Sequence, residues 1–211
     1  MIDANEKAPD GVDYRLARRK VFGGILGAFT TAIAPSFIVN AQPDWPPPFG
    51  TSRHQFTILR PATIVPPARL TRVDGAAVDF ASFRGRVVLV NFWATWCAAC
   101  RTELPILDRL QEATGHKNLE VVAISVDRNG RSTIAPFLRQ LNIRHLGIYL
   151  DPDNRIGGTD DNNTNAPFQI YGMPITYIIG AAGQIEGYMI GEADWSSGEA
   201  GNLLRYYSQS R

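Results

Sequence analysis

The chain contains two cysteines, Cys97 and Cys100, and they stand where a strand pattern gives way to a helix pattern. The first residues of a helix carry backbone N–H groups without an intrahelical partner, and these groups and the helix dipole favour a thiolate. Two thiols at this place can close into a disulfide and reopen by exchange. We therefore predict redox chemistry, with Cys97 as the nucleophile and Cys100, one turn deeper, as the resolving thiol.

Two other uses of a cysteine pair stay open at this point: half of a metal site, or two inert cysteines in the core. Zinc takes about four ligands, and the three histidines His54, His116 and His145 have no companion spacing to the pair. A single pair also leaves no cysteine for a separate structural disulfide. We expect neither a metal nor a cofactor.

The elements that must position this pair follow from the apolar pattern. Residues 87–93 predict a buried strand, and a helix follows from about 98 to 113, ended near Gly115. Further predicted strands are 69–73 and 76–80 around an Asp74-Gly75 turn, 119–126, 145–150, and a hairpin of 175–179 and 185–190; further predicted helices are 132–141, capped by Ser132, and a last helix that begins with a Ser196/Glu199 capping box. This order predicts an α/β fold with a central mixed β-sheet flanked by helices and an N-terminal β-hairpin extension.

A proline marks the start of the predicted strand 175–179. Pro174 follows Gly172 and Met173, and a proline is tolerated at the first position of a strand because no ladder N–H is needed there. A cis Met173–Pro174 bond would turn the backbone groups of Met173 outward, where a substrate strand can pair with them. From the residues alone, an ordinary trans proline remains the alternative.

Composition and the N-terminus indicate where the protein works. Lys plus Arg number 21 and Asp plus Glu number 20, so no charge excess indicates nucleic acid as a partner. Arg18 and Arg19 precede an uncharged stretch, which resembles a twin-arginine export signal. We predict a signal peptide or anchor over 1–41, with a membrane tether through 21–41 if it is not cleaved, a proline-rich linker over 42–55 and a folded domain over 56–211. Either outcome places the domain in the periplasm, where a dithiol meets oxidised partners.

Taken together, these motifs resemble the thioredoxin superfamily, and within it the exported TlpA/ResA-like thiol–disulfide oxidoreductases. Residues 91–97 (Asn-Phe-Trp-Ala-Thr-Trp-Cys) look like that group's signature, Pro105 lies five residues after Cys100, and residues 191–195 are similar to its C-terminal turn. The resemblance extends from about residue 56 to the C-terminus. It implies a thioredoxin-like fold, a cis Pro174, and a substrate-binding surface made by Trp96, Met173 and Pro174.

The resemblance also gives Glu103 a role, because ResA-like members have an acid at this position that tunes proton transfers of the thiols. Residues three apart share a helix face, so Glu103 can lie near Cys100. An ionised carboxylate would raise the thiol pKa, and a neutral one could relay a proton. The alternative is an exposed glutamate that complements the helix dipole. Thioredoxin has a buried aspartate where Asn91 stands, and its absence shifts acid–base work towards Glu103.

The activity that the resemblance implies is that of a protein-disulfide reductase. A membrane thiol donor of the CcdA/DsbD type would reduce the Cys97–Cys100 disulfide. The dithiol would then reduce a disulfide-containing substrate protein, in cytochrome c maturation or copper-site assembly. Ala98 and Ala99 stand between the cysteines where a proline-containing pair is common, and the absence of a histidine there favours the reductase direction.

Two alternatives accompany this interpretation, and the chain departs from the family pattern at a second place besides Ala98-Ala99. A peroxiredoxin-type peroxidase would have Pro and Thr where Val90 and Ala94 stand. A copper-binding module of the same fold would use a CxxxC spacing and a distant histidine, which this chain does not match. Residues 157–165 are longer and more polar than the usual connection before the proline, and their composition predicts a flexible loop.

Overall fold

The computed structural model describes residues 45–159 and 162–209, so the predicted export segment, 1–41, lies outside the described residues. In chain order the elements are β1 Thr57–Ile64, β2 Arg69–Arg72, β3 Ala77–Asp79, a 3-10 helix Phe80–Phe83, β4 Val87–Trp93, α1 Ala98–Thr114, β5 Leu119–Ser125, α2 Arg131–Gln140, β6 Gly147–Leu150, β7 Gly157–Gly158, β8 Phe168–Gln169, β9 Ile175–Ile179, β10 Gln184–Ile190 and α3 Gly198–Gln209. Across these two ranges, we find no helix with both the length and the apolar character that crossing a membrane requires.

An eight-stranded sheet forms the centre of the domain, in the order β1-β10-β9-β4-β5-β6-β2-β3. β4, β5 and β6 run parallel to one another, whereas the remaining pairs are antiparallel. This arrangement confirms the predicted central mixed sheet, and the predicted hairpin, β2–β3, extends it beyond β6. The sequence did not predict β1, the strand at the opposite edge, whose pairing with β10 shifts register between Ile58 and Thr63.

The strand and helix that carry the cysteines follow the predicted boundaries. β4 is buried at all seven positions, as its run of apolar and β-branched residues requires for a central parallel strand. α1 begins directly after Cys97, its N-cap residue, and ends at Gly115, which adopts the left-handed conformation with φ 58°. A glycine is favoured at that position because it has no Cβ to clash.

Two predicted helix caps were wrong. α2 begins at Arg131 after Gly130, and the hydroxyl of Ser132 donates to the Asn129 carbonyl oxygen, 3.0 Å away, rather than capping the helix. At α3, Ser197 accepts the backbone N–H of Ala200 at 3.1 Å, whereas the Ser196 hydroxyl is bonded to the carboxylate of Asp194. Neighbouring hydrogen-bond partners therefore shift each helix start by one or two residues.

The predicted start of β6 was also wrong: the sequence predicted a strand from residue 145, whereas the strand begins at Gly147. Asp108, on α1, explains the difference. One of its carboxylate oxygens accepts the backbone N–H groups of Arg144, His145 and Leu146 at 3.0, 2.7 and 3.0 Å. Those donors face the helix and are not available to the sheet.

The core has two sides, because successive side chains along each buried strand point to opposite faces of the sheet. On one side, residues of α1, α2 and α3 pack against Leu89, Trp93 and the matching positions of β5. On the other side, Phe92 and the β4 residues that share its face, Val88 and Val90, pack in one cluster with the 3-10 helix and Phe168. Phe49, within the predicted linker, is buried and packs against Trp195 with ring centroids 4.9 Å apart.

The described part of the polar segment 157–165 is hydrogen-bonded and partly buried, which differs from the flexible loop that its composition predicts. Asp151 accepts the N–H groups of residues 155–157, and β7 pairs with β8. A side chain at Gly157 would come within 2.5 Å of the Phe92 ring, and one at Gly158 within 1.9 Å of a backbone oxygen. The two glycines are thus needed for close packing, a use that composition does not distinguish from a loop.

Candidate functional site

The topology brings the cysteines and the proline to one end of the sheet. Cys97 follows the C-terminal end of β4, and Pro174 precedes the N-terminal end of β9. Because β4 and β9 are antiparallel, with Phe92 opposite Ile175, these two ends are neighbours. The sequence motifs, 74 or more positions apart in the chain, therefore meet at a single surface.

The two cysteines form a disulfide across the first turn of α1, with Cα atoms 5.3 Å apart. Cys97 is 7% exposed, while Cys100 is fully buried. The backbone N–H of Cys100 donates to the sulfur of Cys97 at 3.1 Å, so an unpaired amide of the helix start is directed at this sulfur. Cys97 is consequently the more exposed cysteine of the pair and the one that lies at the positive end of the helix dipole.

An exposed tryptophan and a partly buried methionine lie beside the disulfide. The Met173–Pro174 bond is cis, as the resemblance implies, and the Trp96 side chain next to Cys97 is 70% exposed. Met173 lines two clefts, of about 650 Å³ and about 530 Å³. The larger, which we name the Glu103 cleft, contains residues 51–54 and 191–194; the smaller, the Trp96 cleft, contains residues 126–129.

Glu103 is buried, with 1% of its surface exposed, so the alternative of an exposed glutamate is wrong. One carboxylate oxygen, Oε1, accepts the backbone N–H of Ala193 at 3.1 Å and the indole N–H of Trp195 at 2.9 Å. The other, Oε2, accepts the amide N–H of Asn91 at 2.8 Å. Three donors from two distant parts of the chain thus fix the carboxyl group on the face of α1 that carries Cys100.

Burial raises the pKa of Glu103 to about 7, against an ordinary value of 4.5. Desolvation is the largest cause, because a charged carboxylate loses its water on burial. The bonds from Trp195, Ala193 and Asn91 oppose it by stabilising the ionised form, and the negative charge of Glu192 adds to it. A group with this pKa can both accept and release a proton near neutral pH.

Asn91 links this carboxyl to the sheet. Its amide nitrogen also donates to the Thr176 hydroxyl at 2.9 Å, on the neighbouring strand β9. Its amide oxygen is buried and has no hydrogen-bond partner among the described residues. The position that is an acid in thioredoxin is therefore a neutral contact of Glu103 in this chain.

Sequence reasoning missed two residues at the site. Asp127, directly after β5, accepts the backbone N–H and the hydroxyl of Thr95 at 2.9 and 2.7 Å, which pins the turn before Cys97. An acid that follows a buried strand was the available signal for it. Trp195 was visible as part of the 191–195 motif, but nothing in the sequence places it against Glu103.

The three histidines that were weighed against a metal site lie apart from one another. His116 and His145 lie beside Glu120 and Glu112, at 3.0 and 3.5 Å, whereas His54 lines the Glu103 cleft. Within residues 45–159 and 162–209, no group of three or more His, Cys, Asp or Glu side chains is arranged to hold a metal ion.

Comparison with known proteins gives consistent matches. The sequence profile of the AhpC/TSA family matches residues 61–187. The chain is 24% identical over 123 residues to thiol-disulfide oxidoreductase ResA of Bacillus cereus, covering 58% of this chain and 65% of ResA. It is 30% identical over 126 residues to thioredoxin-like protein YneN of Bacillus subtilis, covering 60% of this chain and 69% of YneN.

Among solved structures, a thiol:disulfide interchange protein of the thioredoxin family from Chlorobium tepidum matches with a TM-score of 0.55 and 23% identity, covering 70% of this chain and 97% of the other. This similarity confirms the thioredoxin-like fold. The chain spans between about half and two thirds of the length of the first curated relatives. The matched profile includes both cysteines and Pro174 but excludes residues 51–54 and 191–195, which line the Glu103 cleft or hold its carboxyl group.

Proposed function

This chain belongs to the AhpC/TSA family, and within that family we propose that it is a thiol–disulfide oxidoreductase working through Cys97 and Cys100. The observation that carries the proposal is the disulfide at the helix start, in which Cys97 is 7% exposed and Cys100 is fully buried. The names of ResA and of the Chlorobium protein support the same chemistry. Exposed Trp96 and the Met173–Pro174 backbone supply the surface on which a partner polypeptide docks.

The reductive half-reaction follows from this asymmetry. The Cys97 thiolate attacks one sulfur of the partner's disulfide, which forms a mixed disulfide and releases the other sulfur as a thiolate. Cys100, deprotonated with Glu103 as proton acceptor, then attacks the Cys97 sulfur and releases the second partner thiolate. Two electrons pass to the partner, and the Cys97–Cys100 disulfide is left. The two partner thiolates take up the proton that Glu103 received from Cys100 and one proton from solvent, which had taken the proton of Cys97.

The reductase direction needs a donor that restores the dithiol. We propose a membrane thiol donor of the CcdA/DsbD type, and export of the domain to the periplasm through residues 1–41. The substrate would be a protein disulfide such as that of apocytochrome c or a copper-site protein. The small Ala98-Ala99 pair, without a histidine, supports a reductant rather than a strong oxidant.

A trapping experiment tests the proposal. In the Cys100→Ser variant the resolving thiol is absent, so Cys97 accumulates a mixed disulfide that mass spectrometry identifies. Cys97→Ser is the matched control, since the buried Cys100 cannot reach a partner. Equal trapping by the two variants, or by neither, would refute the proposed roles. The equilibrium with glutathione then gives the reduction potential and decides between reductase and oxidase.

Peroxidase activity is the second candidate, because the matched family profile is that of AhpC/TSA. Val90 and Ala94 occupy the positions where a peroxidatic site would have Pro and Thr. Hydrogen peroxide consumption by the reduced protein separates the two functions: a reductase consumes peroxide no faster than free thiols of the same concentration do, whereas rapid consumption that Cys97→Ser abolishes would establish the peroxidase.

A further inference from the structure

The turn before α3 donates two hydrogen bonds to Glu103, beside the redox pair. Trp195 donates its indole N–H to Glu103 Oε1 at 2.9 Å, and Ala193 donates its backbone N–H to the same oxygen at 3.1 Å. These donors lie 92 and 90 positions from Glu103 in sequence, and they lie beyond the region matched by the family profile. Two of the three hydrogen bonds on the carboxyl group thus come from this one turn.

Packing holds the Trp195 side chain in place. Its ring is buried and contacts the buried ring of Phe49, with centroids 4.9 Å apart. Phe49 is held in turn by a backbone hydrogen bond from the N–H of Phe56 at 2.8 Å. Because both rings are buried, water does not replace the indole N–H without displacing them.

The protonation of Glu103 depends on a balance between burial and these donors. Burial favours the neutral acid, whereas each N–H that points at the carboxyl group favours the ionised carboxylate. The charged and titratable groups that share the surroundings of Glu103 are Arg53, His54, Glu192 and Asp194 in the cleft and Cys97 and Cys100 on the same helix. Loss of one donor therefore shifts the balance towards the neutral acid.

We propose that Trp195 is a positioning residue of the redox site, whose indole N–H fixes the Glu103 carboxyl group and favours its ionised form. This inference rests on the proposed thiol–disulfide exchange, in which Glu103 accepts a proton from Cys100. The indole thereby sets the pH range over which the pair exchanges protons. Through its contact with the Phe49 ring, Trp195 also links the segment before β1 to the position of the Glu103 carboxyl group.

Titration of the carboxyl group tests the proposal directly. In the oxidised full chain, where the cysteines do not titrate, ¹³C NMR of the Glu103 side-chain carboxyl carbon reports its protonation. The Trp195→Phe variant removes the N–H and keeps an aromatic ring. We expect the titration midpoint to rise by about one pH unit, a tenfold change in the ionisation constant.

Trp93 offers a matched control on the same core. It is also buried, and its indole N–H has no hydrogen-bond partner among the described residues. Trp93→Phe therefore removes the same side-chain volume as Trp195→Phe without removing a hydrogen bond. We expect the titration midpoint of Glu103 in this variant to equal that of wild type. An unchanged midpoint in Trp195→Phe, or an equal rise in both variants, overturns the proposal.

A second measurement shows whether the effect passes through Glu103. The pH dependence of Cys97 alkylation in the reduced protein moves in Trp195→Phe, and the same substitution has no further effect in a Glu103→Gln background. A movement of equal size in that background overturns the proposal. If the protein fails to reduce a disulfide substrate, the proposed function fails, whereas the NMR midpoint of the oxidised chain still decides the role of Trp195.

If Trp195→Phe does not fold, a second replacement at position 195 tests the same hydrogen bond. Benzothienylalanine at position 195 has the shape of tryptophan with sulfur in place of the N–H. We expect the same rise of the Glu103 midpoint for this replacement. A folded protein with the wild-type midpoint overturns the proposal.

Discussion

The burial of Glu103 makes a quantitative prediction about stability. The folded protein holds this proton with a pKa of about 7, whereas the unfolded chain releases it near 4.5. Between these values the folded state binds more protons than the unfolded state, so the free energy of unfolding falls as the pH rises. A difference of about 2.5 between the two pKa values corresponds to about 3 kcal/mol in the free energy of unfolding. This contribution to stability is fully present below pH 4.5 and is lost above pH 7.

The Glu103→Gln variant removes this dependence. The assay measures the free energy of unfolding of the oxidised full chain in guanidinium from pH 4 to 8. Between these two pH values we expect it to fall by about 3 kcal/mol less in the variant than in wild type. Asp151, whose pKa burial also raises, contributes equally to both proteins and cancels in the difference. The amide keeps the volume of the acid, so the comparison isolates its proton.

The exposed Glu199, in the first turn of α3, provides the control. Glu199→Gln removes one exposed carboxylate without altering the buried site, so its curve runs parallel to that of wild type. If Glu103→Gln also runs parallel to wild type between pH 5 and 8, the carboxyl group is ionised throughout, and its part in moving protons near neutral pH is refuted.

Three further predictions follow from contacts at or near the site. Trp96→Ala leaves the unfolding free energy within about 0.5 kcal/mol of wild type, because the side chain is exposed, but raises the KM for a protein disulfide in an insulin-reduction assay; an unchanged KM contradicts its docking role. Asp127→Asn lowers the unfolding free energy by about 1–3 kcal/mol by weakening the turn before the cysteines, and a value near zero in urea titration contradicts this. Gly157→Ala destabilises the protein because its Cβ meets the Phe92 ring at 2.5 Å, whereas Gly201→Ala, in the open helix α3, stabilises it by about 0.5–1 kcal/mol; thermal melts with the same sign for both would refute the packing argument.

The parts of the site that lie close together in sequence could be predicted from it. The strand Val87–Trp93 and the helix that begins after Cys97 are dictated by local apolar patterns, by the N-cap position and by the glycine that ends the helix. The cis geometry of Pro174 came from the family resemblance, since the residues alone favoured a trans bond. Local pattern and resemblance together were sufficient to locate the disulfide.

Several of the contacts that the prediction missed are long-range, and they include those that hold Glu103. Asp108 withdraws three N–H groups from the start of β6, although they lie 36–38 positions away. Glu103 was expected near the thiols, but the Trp195 and Ala193 donors come from a turn whose place against α1 only the folded chain decides. Hydrogen bonds of this kind leave no periodic signal in the sequence.

The edge strand β1 has a consequence for whether other chains can add to this sheet. Its ladder is broken by the register shift between Ile58 and Thr63, and Pro61 in the interrupted stretch has no N–H to offer. A foreign strand arriving at this margin therefore meets no continuous row of donors and acceptors. If a partner strand pairs at Met173 as proposed, this margin of the sheet offers it no second place to pair, which disfavours aggregation through β1.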